Sequence, residues 1–216
     1  MIEKIDIYDI VTSLVQGSLF VMACLVLFPQ CLDAMRILAV PEIVATLMFV
    51  SLTYFIGQSI VAVSSILQKA LFFTWGGAPS ERVFNGRFPK KYLSPDMIDH
   101  VREVLERTSF VELSDGALFL KASGIARAAK GSLSERHNQM YAYNRVTITN
   151  LLLVIGLVIL SRFEGLGANI SPTGFALFLG VTVFLLILHW IRARQRAFYY
   201  VREVLVVAER ELEGGV

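Results

Sequence analysis

Charged residues are scarce in this sequence, and cysteine, histidine and proline are scarcer still. Of the 216 residues 18% are charged and 55% are apolar, and the mean hydropathy is +0.61. A soluble domain carries about 25% charged and 45–50% apolar residues, so this composition excludes an ordinary soluble protein. The 20 basic residues exceed the 18 acidic ones by only two, and we therefore expect no direct nucleic-acid binding.

The motifs that carry enzyme chemistry are also missing. His100, His137 and His189 lie on separate segments without the spacing of metal ligands, and His100 and Glu103 share only a predicted helix face. The sequence contains no phosphate-binding glycine loop, no Gly-x-Ser-x-Gly and no Cys-x-x-Cys motif. We therefore expect that the protein is not an enzyme and has no catalytic residue, metal site or cofactor.

The main feature of the sequence is a set of four long uncharged runs. They contain 23, 26, 16 and 27 residues and cover 10–32, 43–68, 146–161 and 165–191. A spanning helix needs about 20 residues, and Arg162 can lengthen the third run by placing its guanidinium at the interface. The sequence predicts an all-α membrane protein with four transmembrane helices. It also predicts a small, mainly helical cytoplasmic region between helices 2 and 3 and a cytoplasmic extension of helix 4.

The basic residues predict the orientation and the segment boundaries. Twelve of the 20 lie within 69–145 and five lie at or beyond Arg192. Since positive flanks stay in the cytoplasm, we expect a multi-pass bacterial inner-membrane protein with both termini cytoplasmic. The acidic start favours a retained anchor over a cleaved signal. The predicted segments are a first helix pair, a cytoplasmic region, a second helix pair and a C-terminal helix, at 1–75, 76–145, 146–191 and 192–216.

Local signals divide the cytoplasmic region. Phe72, Phe73 and Trp75 form an interfacial aromatic group, and the glycines and proline of 76–80 end the second helix. A turn is predicted at 85–86, within an irregular segment that reaches residue 92.

Further helices are predicted after this segment. Ser94 is a predicted N-cap before Pro95, and the helix that they start runs to about residue 108. A second short helix is expected over 118–129, with 110–113 helical or extended. A capping box at 132–135 starts a helix that continues into the third span, and the fourth span runs unbroken from 172 to 213.

The C-terminal helix carries an apolar stripe with a 3-4-3-4 spacing, which is the pattern of a coiled-coil seam. This stripe is a candidate oligomer or partner interface, and the alternative is packing against the chain's own cytoplasmic helices. Its members are Phe198, Val201, Leu205, Ala208 and Leu212.

Seven basic residues lie next to the predicted membrane surface, where each can gain about 1 kcal/mol from anionic lipid. They are candidates for lipid or partner docking, and the alternative is that they act as topology signals alone. They are Arg82, Arg87, Lys90, Lys91, Arg192, Arg194 and Arg196.

Three pairs of small residues occur four positions apart within the spans, where such pairs let helix backbones approach closely. The candidate packing pairs are Ser13 with Gly17, Thr53 with Gly57, and Ala176 with Gly180. Cys24 and Cys31 are seven residues apart, about 10.5 Å along a helix, which is too far for a disulfide within the chain. A bridge from Cys31 to a second copy stays open.

Two local patterns resemble sites in small bacterial four-span inner-membrane proteins. They are 75–80, Trp-Gly-Gly-Ala-Pro-Ser, after the second span and 141–145, Tyr-Ala-Tyr-Asn-Arg, before the third. In layout and size the chain is also similar to membrane subunits of Kiwa anti-phage defence systems. That resemblance implies antiviral defence, a homo-oligomer, for which a tetramer is the expected size, and a DNA-binding cytoplasmic effector as partner.

The sequence therefore favours a non-enzymatic, self-associating inner-membrane scaffold or sensor that couples membrane perturbation to a cytoplasmic partner. The alternative is a pore-forming effector that depolarises the membrane when it is triggered. The spans contain no acidic residue, lysine or arginine at their centres, which disfavours a proton- or ion-coupled transporter.

Overall fold

The computed structural model describes residues 7–31, 41–109, 113–129, 131–163 and 171–214. Within these ranges every regular element is an α-helix, which confirms the predicted all-α class. The prediction for 110–113 lies almost entirely outside the described residues. The helices are α1 (Ile7–Leu27), α2 (Glu42–Thr74), α3 (Pro79–Arg82), α4 (Pro95–Arg107), α5 (Asp115–Ala128), α6 (Ser134–Phe163) and α7 (Pro172–Glu213).

Four of these helices, α1, α2, α6 and α7, are long and apolar enough to cross a membrane. The 16-residue uncharged run of the third span lies inside α6, which has 30 residues, so its length does not limit the span. The chain is therefore a multi-span membrane protein, as the sequence predicted. Large apolar side chains on the spans are exposed, including Phe55, Leu177 and Phe184, as expected for helices with lipid as their solvent.

The chain divides into two compact units. Unit 1 consists of Met1–Gln68 and Tyr143–Ile191, and unit 2 consists of Lys69–Ala142 and Arg192–Val216. The helices α6 and α7 supply residues to both units without a break. In unit 1 an apolar cluster joins α1 to α6 and contains Ala23, Leu27, Val154 and Val158.

Unit 2 has its own hydrophobic core, formed by α4, α5, the C-terminal half of α7 and the segment 83–93. The apolar stripe predicted for α4 faces this core, and its members Ile98, Val101, Val104 and Leu105 are buried. Ser94 is the N-cap of α4, as predicted, and its hydroxyl accepts a hydrogen bond from the Met97 amide at 3.3 Å.

The breaks between helices follow glycine, proline and hydroxyl residues. After α2, Gly76 and Gly77 have φ values of +83° and +115°, a region that glycine adopts without steric cost. The segment predicted as irregular contains the four-residue helix α3. The predicted capping box is wrong, because α6 begins at Ser134 and the Ser132 hydroxyl accepts from the Ser134 amide at 3.2 Å.

Candidate functional site

The first two candidate packing pairs contact each other. Gly17 of α1 lies against the carbonyl group of Thr53, and Gly57 of α2 lies against the carbonyl group of Ser13, so closely that a Cβ atom on either glycine would overlap backbone. Across the same contact, the Gln58 side-chain amide donates to the Ser13 hydroxyl at 2.9 Å. Glycine is therefore required at both positions, since it alone permits this approach.

The third candidate pair makes no such contact. Ala176 and Gly180 of α7 are exposed, and no heavy atom lies within 4 Å of a Cβ built on Gly180. The large apolar side chains around them are exposed as well, at Leu177, Val181, Phe184, Ile187 and Leu188. This face of α7 is thus free to contact lipid or another protein.

A buried polar layer joins α1 to α6 within unit 1. The Gln16 side-chain amide donates to the Thr147 hydroxyl at 2.8 Å, and the Asn150 amide donates to both the backbone and side-chain carbonyls of Gln16 at 2.9 Å. Gln16 is 0% and Asn150 is 3% exposed. Sequence reasoning missed this layer, and the signal that could have found it is Asn150 three positions after Thr147 within the third uncharged run.

A cavity of about 370 Å³ lies beside this layer in unit 1, between α1, α6 and α7. Its wall is mostly apolar, with Met22, Leu151 and Phe178 among its residues. The polar residues that line it are Gln16, Tyr143, Thr147, Asn150, Thr182 and His189. The side-chain oxygen of Asn150 is buried without a hydrogen-bond partner among the described residues. The shape and chemistry of this cavity suit an apolar occupant and offer no pair of reactive groups.

The predicted interfacial aromatic group is divided in the structure. The rings of Phe72 and Trp75 are 5.6 Å apart, and each lies 6.2 Å from the ring of Tyr141. Phe73 points away and is 86% exposed. A compact aromatic cluster therefore follows the second span, with α6 supplying its third ring.

Arg82 holds the segment that follows this aromatic cluster. Its guanidinium donates to the backbone carbonyl of Trp75 at 2.6 Å and to that of Arg87 at 2.7 and 3.1 Å. Its Cζ lies 5.8 Å from the centre of the Phe198 ring, and that of Arg194 lies 5.9 Å from the same ring. Three of the seven basic candidates, Arg82, Arg87 and Arg194, therefore lie in one region of unit 2.

The other four basic candidates have different surroundings. Lys90, Lys91 and Arg192 are exposed, and the Lys91 ammonium lies 5.0 Å from the Tyr92 ring. Arg196 is half-buried, and its guanidinium lies 3.4 Å from the His137 ring nitrogen. The exposed cations are free to meet an anionic surface, whereas Arg82 and Arg196 already contact groups within unit 2.

The candidate seam on α7 lies in the core of unit 2. Phe198, Val201, Leu205 and Ala208 are at most 2% exposed, and Leu212 packs against the same core. The Phe198 ring stacks on Tyr92 with centres 5.1 Å apart. The seam is thus used within the chain, and an oligomer interface made of these side chains would require unit 2 to open.

Both cysteines are free thiols in the structure. Cys24 lies within α1 and is half-buried, whereas Cys31 follows the end of that helix and is exposed.

Comparison with known proteins adds no family. The chain matches no protein-family model, no curated protein and no solved structure. The resemblance to four-span inner-membrane proteins therefore stays a prediction.

Proposed function

We propose that this chain is a non-enzymatic scaffold or sensor of the bacterial inner membrane, which self-associates and transmits a change in the membrane to a cytoplasmic partner. The observation that carries the proposal is that α6 and α7 each contribute to both compact units as one unbroken helix. In this proposal the helices of unit 1 cross the bilayer, and unit 2 and the N-terminus lie in the cytoplasm. The excess of basic residues in unit 2 supports a cytoplasmic location for this unit.

The continuity of α7 supports transmission from the membrane. The same helix presents exposed apolar residues such as Phe184 in unit 1 and supplies Phe198 and Leu205 to the core of unit 2. A change in the tilt of its span, which bilayer thickness alters, therefore acts on a helix that unit 2 needs for its own packing.

The exposed face of α7 supports self-association. Ala176 and Gly180 form a small-residue pair of the kind that brings α1 and α2 together, yet no atom of the described residues lies within 4 Å of a Cβ built on Gly180. A second copy that packs here would gain the close backbone contact that drives helix association in lipid. Packing through this face leaves the buried seam of unit 2 intact.

The exposed cations support docking of an acidic partner. Arg87, Lys90, Lys91 and Arg192 offer charge without an ion pair to any acidic side chain among the described residues. In the proposal they bind acidic groups of a cytoplasmic protein, with anionic lipid as the competing ligand. Membership of an anti-phage defence system is part of the proposal through the resemblance alone.

The size of the purified protein in mild detergent or nanodiscs tests self-association. We expect an oligomer for the natural sequence and a smaller species for Gly180→Leu, because the larger side chain separates the helices. Gly156→Leu in α6 is the matched control, since a Cβ at Gly156 also meets nothing within 4 Å. A monomeric natural protein, or equal effects of both substitutions, would contradict the proposed interface.

Hydrogen exchange in bilayers of different thickness tests transmission. We expect the protection of α4 and α5 to change with thickness in the natural protein and in Arg192→Ala, but not in Arg192→Pro, since proline breaks the helical hydrogen bonds of α7 at that point. Unchanged protection of α4 and α5 in the natural protein would contradict the proposed transmission from the membrane to unit 2.

Liposome conductance separates the scaffold from the alternative pore-forming effector. The scaffold predicts no leak beyond that of empty liposomes, whether or not the cytoplasmic partner is bound to unit 2. A leak that depends on the protein would instead support the pore, and the proposal would then be withdrawn.

A further inference from the structure

Three side chains that are far apart in the sequence converge on the surface of unit 2. His100 comes from α4, and Glu209 and Glu213 come from the last turns of α7. The His100 Nε2 atom lies 2.7 Å from a carboxylate oxygen of Glu213 and 3.6 Å from one of Glu209. All three donor atoms lie within 4.8 Å of one another.

The positions of these residues on their helices produce this convergence. Glu209 and Glu213 are one helical turn apart, so both carboxylates lie on the same side of α7. That side borders the core, since Leu205 and Ala208 beside it belong to the hydrophobic core to which α4 also contributes. The packing of unit 2 therefore brings His100 to the two carboxylates.

The charge balance of the cluster calls for a cation. Two carboxylates face one imidazole, and within the described residues neither of them forms an ion pair with a lysine or arginine. The nearby Arg210 pairs with Glu211 at 3.1 Å instead. With a neutral imidazole the cluster has two negative charges, and the 2.7 Å contact is a hydrogen bond that the Nε2–H group donates to Glu213. A metal ion that binds at Nε2 replaces that proton.

We propose that His100, Glu209 and Glu213 form a zinc site that joins α4 to the C-terminal end of α7. One imidazole nitrogen and two carboxylate oxygens match zinc, which takes nitrogen and oxygen ligands at about 2.0–2.2 Å. In a tetrahedral site these atoms lie about 3.4 Å apart, close to the His100–Glu209 distance of 3.6 Å. Glu213 withdraws by less than 1 Å, and its exposed side chain allows this. Water takes the fourth position.

Zinc titration of the full-length protein tests this site. The protein is purified in detergent with a tag that contains no histidine, and it carries Cys24→Ser and Cys31→Ser because both thiols are free and thiolates bind zinc. We expect one zinc ion per chain by calorimetry, with affinity that falls at acid pH because the imidazole must be neutral to bind. His100→Ala and Glu213→Gln should each weaken binding at least tenfold.

Two controls make the result specific. Glu211→Gln changes a neighbouring glutamate that pairs with Arg210 and should leave zinc affinity unchanged. Magnesium prefers oxygen ligands in an octahedral arrangement and should bind far more weakly than zinc. Absence of saturable zinc binding, or equal affinity in His100→Ala, would overturn the proposal. So would magnesium binding as strong as that of zinc.

Discussion

Gly17 of α1 lies directly against the backbone carbonyl group of Thr53 in α2. Gly57 makes the reciprocal contact with Ser13, so two small-residue pairs from different spans form one helix–helix contact. Such close approach replaces the hydrophobic driving force, which lipid does not supply between helices.

This contact predicts a large effect of Gly17→Val on stability. The added side chain overlaps the Thr53 carbonyl, so α1 and α2 must separate, at a cost of about 1–3 kcal/mol. Thermal or SDS-induced unfolding of the purified protein measures the loss. Gly156→Val is the matched control, because its Cβ meets no atom within 4 Å, and equal losses in the two variants would show that the contact contributes nothing.

The polar layer predicts energetic coupling between Gln16 and Asn150. In a double-mutant cycle of Gln16→Ala and Asn150→Ala we expect a coupling of about 0.6 kcal/mol, the average for hydrogen bonds between membrane helices, and of at most about 1.7 kcal/mol. Thr46→Ala serves as the comparison, since the Thr46 hydroxyl donates within its own helix, to the Glu42 carbonyl, and does not line the cavity beside Gln16. Its cycle with Gln16→Ala should be additive within about 0.3–0.5 kcal/mol. A Gln16–Asn150 coupling of zero would show that the hydrogen bonds between these two residues do not stabilise the protein.

The buried seam predicts that Phe198→Ala destabilises unit 2 rather than an oligomer. Phe198 is 0% exposed and stacks on Tyr92, and truncation of such a ring costs about 3–5 kcal/mol. Faster hydrogen exchange in α4 and α5 reports the loss. Phe73→Ala removes a ring that is 86% exposed and should leave exchange unchanged. Dissociation of an oligomer with normal exchange would instead assign the seam to an interface between copies.

The proposed orientation predicts the labelling of single cysteines. In a protein that carries Cys24→Ser and Cys31→Ser, an impermeant maleimide should label Ser171→Cys in intact spheroplasts. It should label Glu106→Cys only in inverted vesicles, because unit 2 is proposed to be cytoplasmic and both positions are exposed. The reverse pattern would place unit 2 outside the cell.

Local features of the fold were predictable because their causes are local. The uncharged runs, the Gly76–Gly77 stop and the Ser94 cap depend on residues within one or two turns. Contacts between segments were not predictable in the same way. Gln16 and Thr147 are 131 positions apart, and no period in the sequence pairs them. The spacing of the seam on α7 did not decide its partner. Burial against α4 and α5 and burial against a second copy require the same spacing of apolar residues.

The distance in sequence between Gln16 and Thr147 also has a consequence for biosynthesis. A ribosome that adds about 5–20 residues per second needs roughly 7–26 s to make the 131 residues that separate them. During that time α1 has entered the bilayer with its glutamine amide lacking both acceptor and donor from α6. Until the third span has been made, the Gln16 side chain cannot form its hydrogen bonds with Thr147 and Asn150.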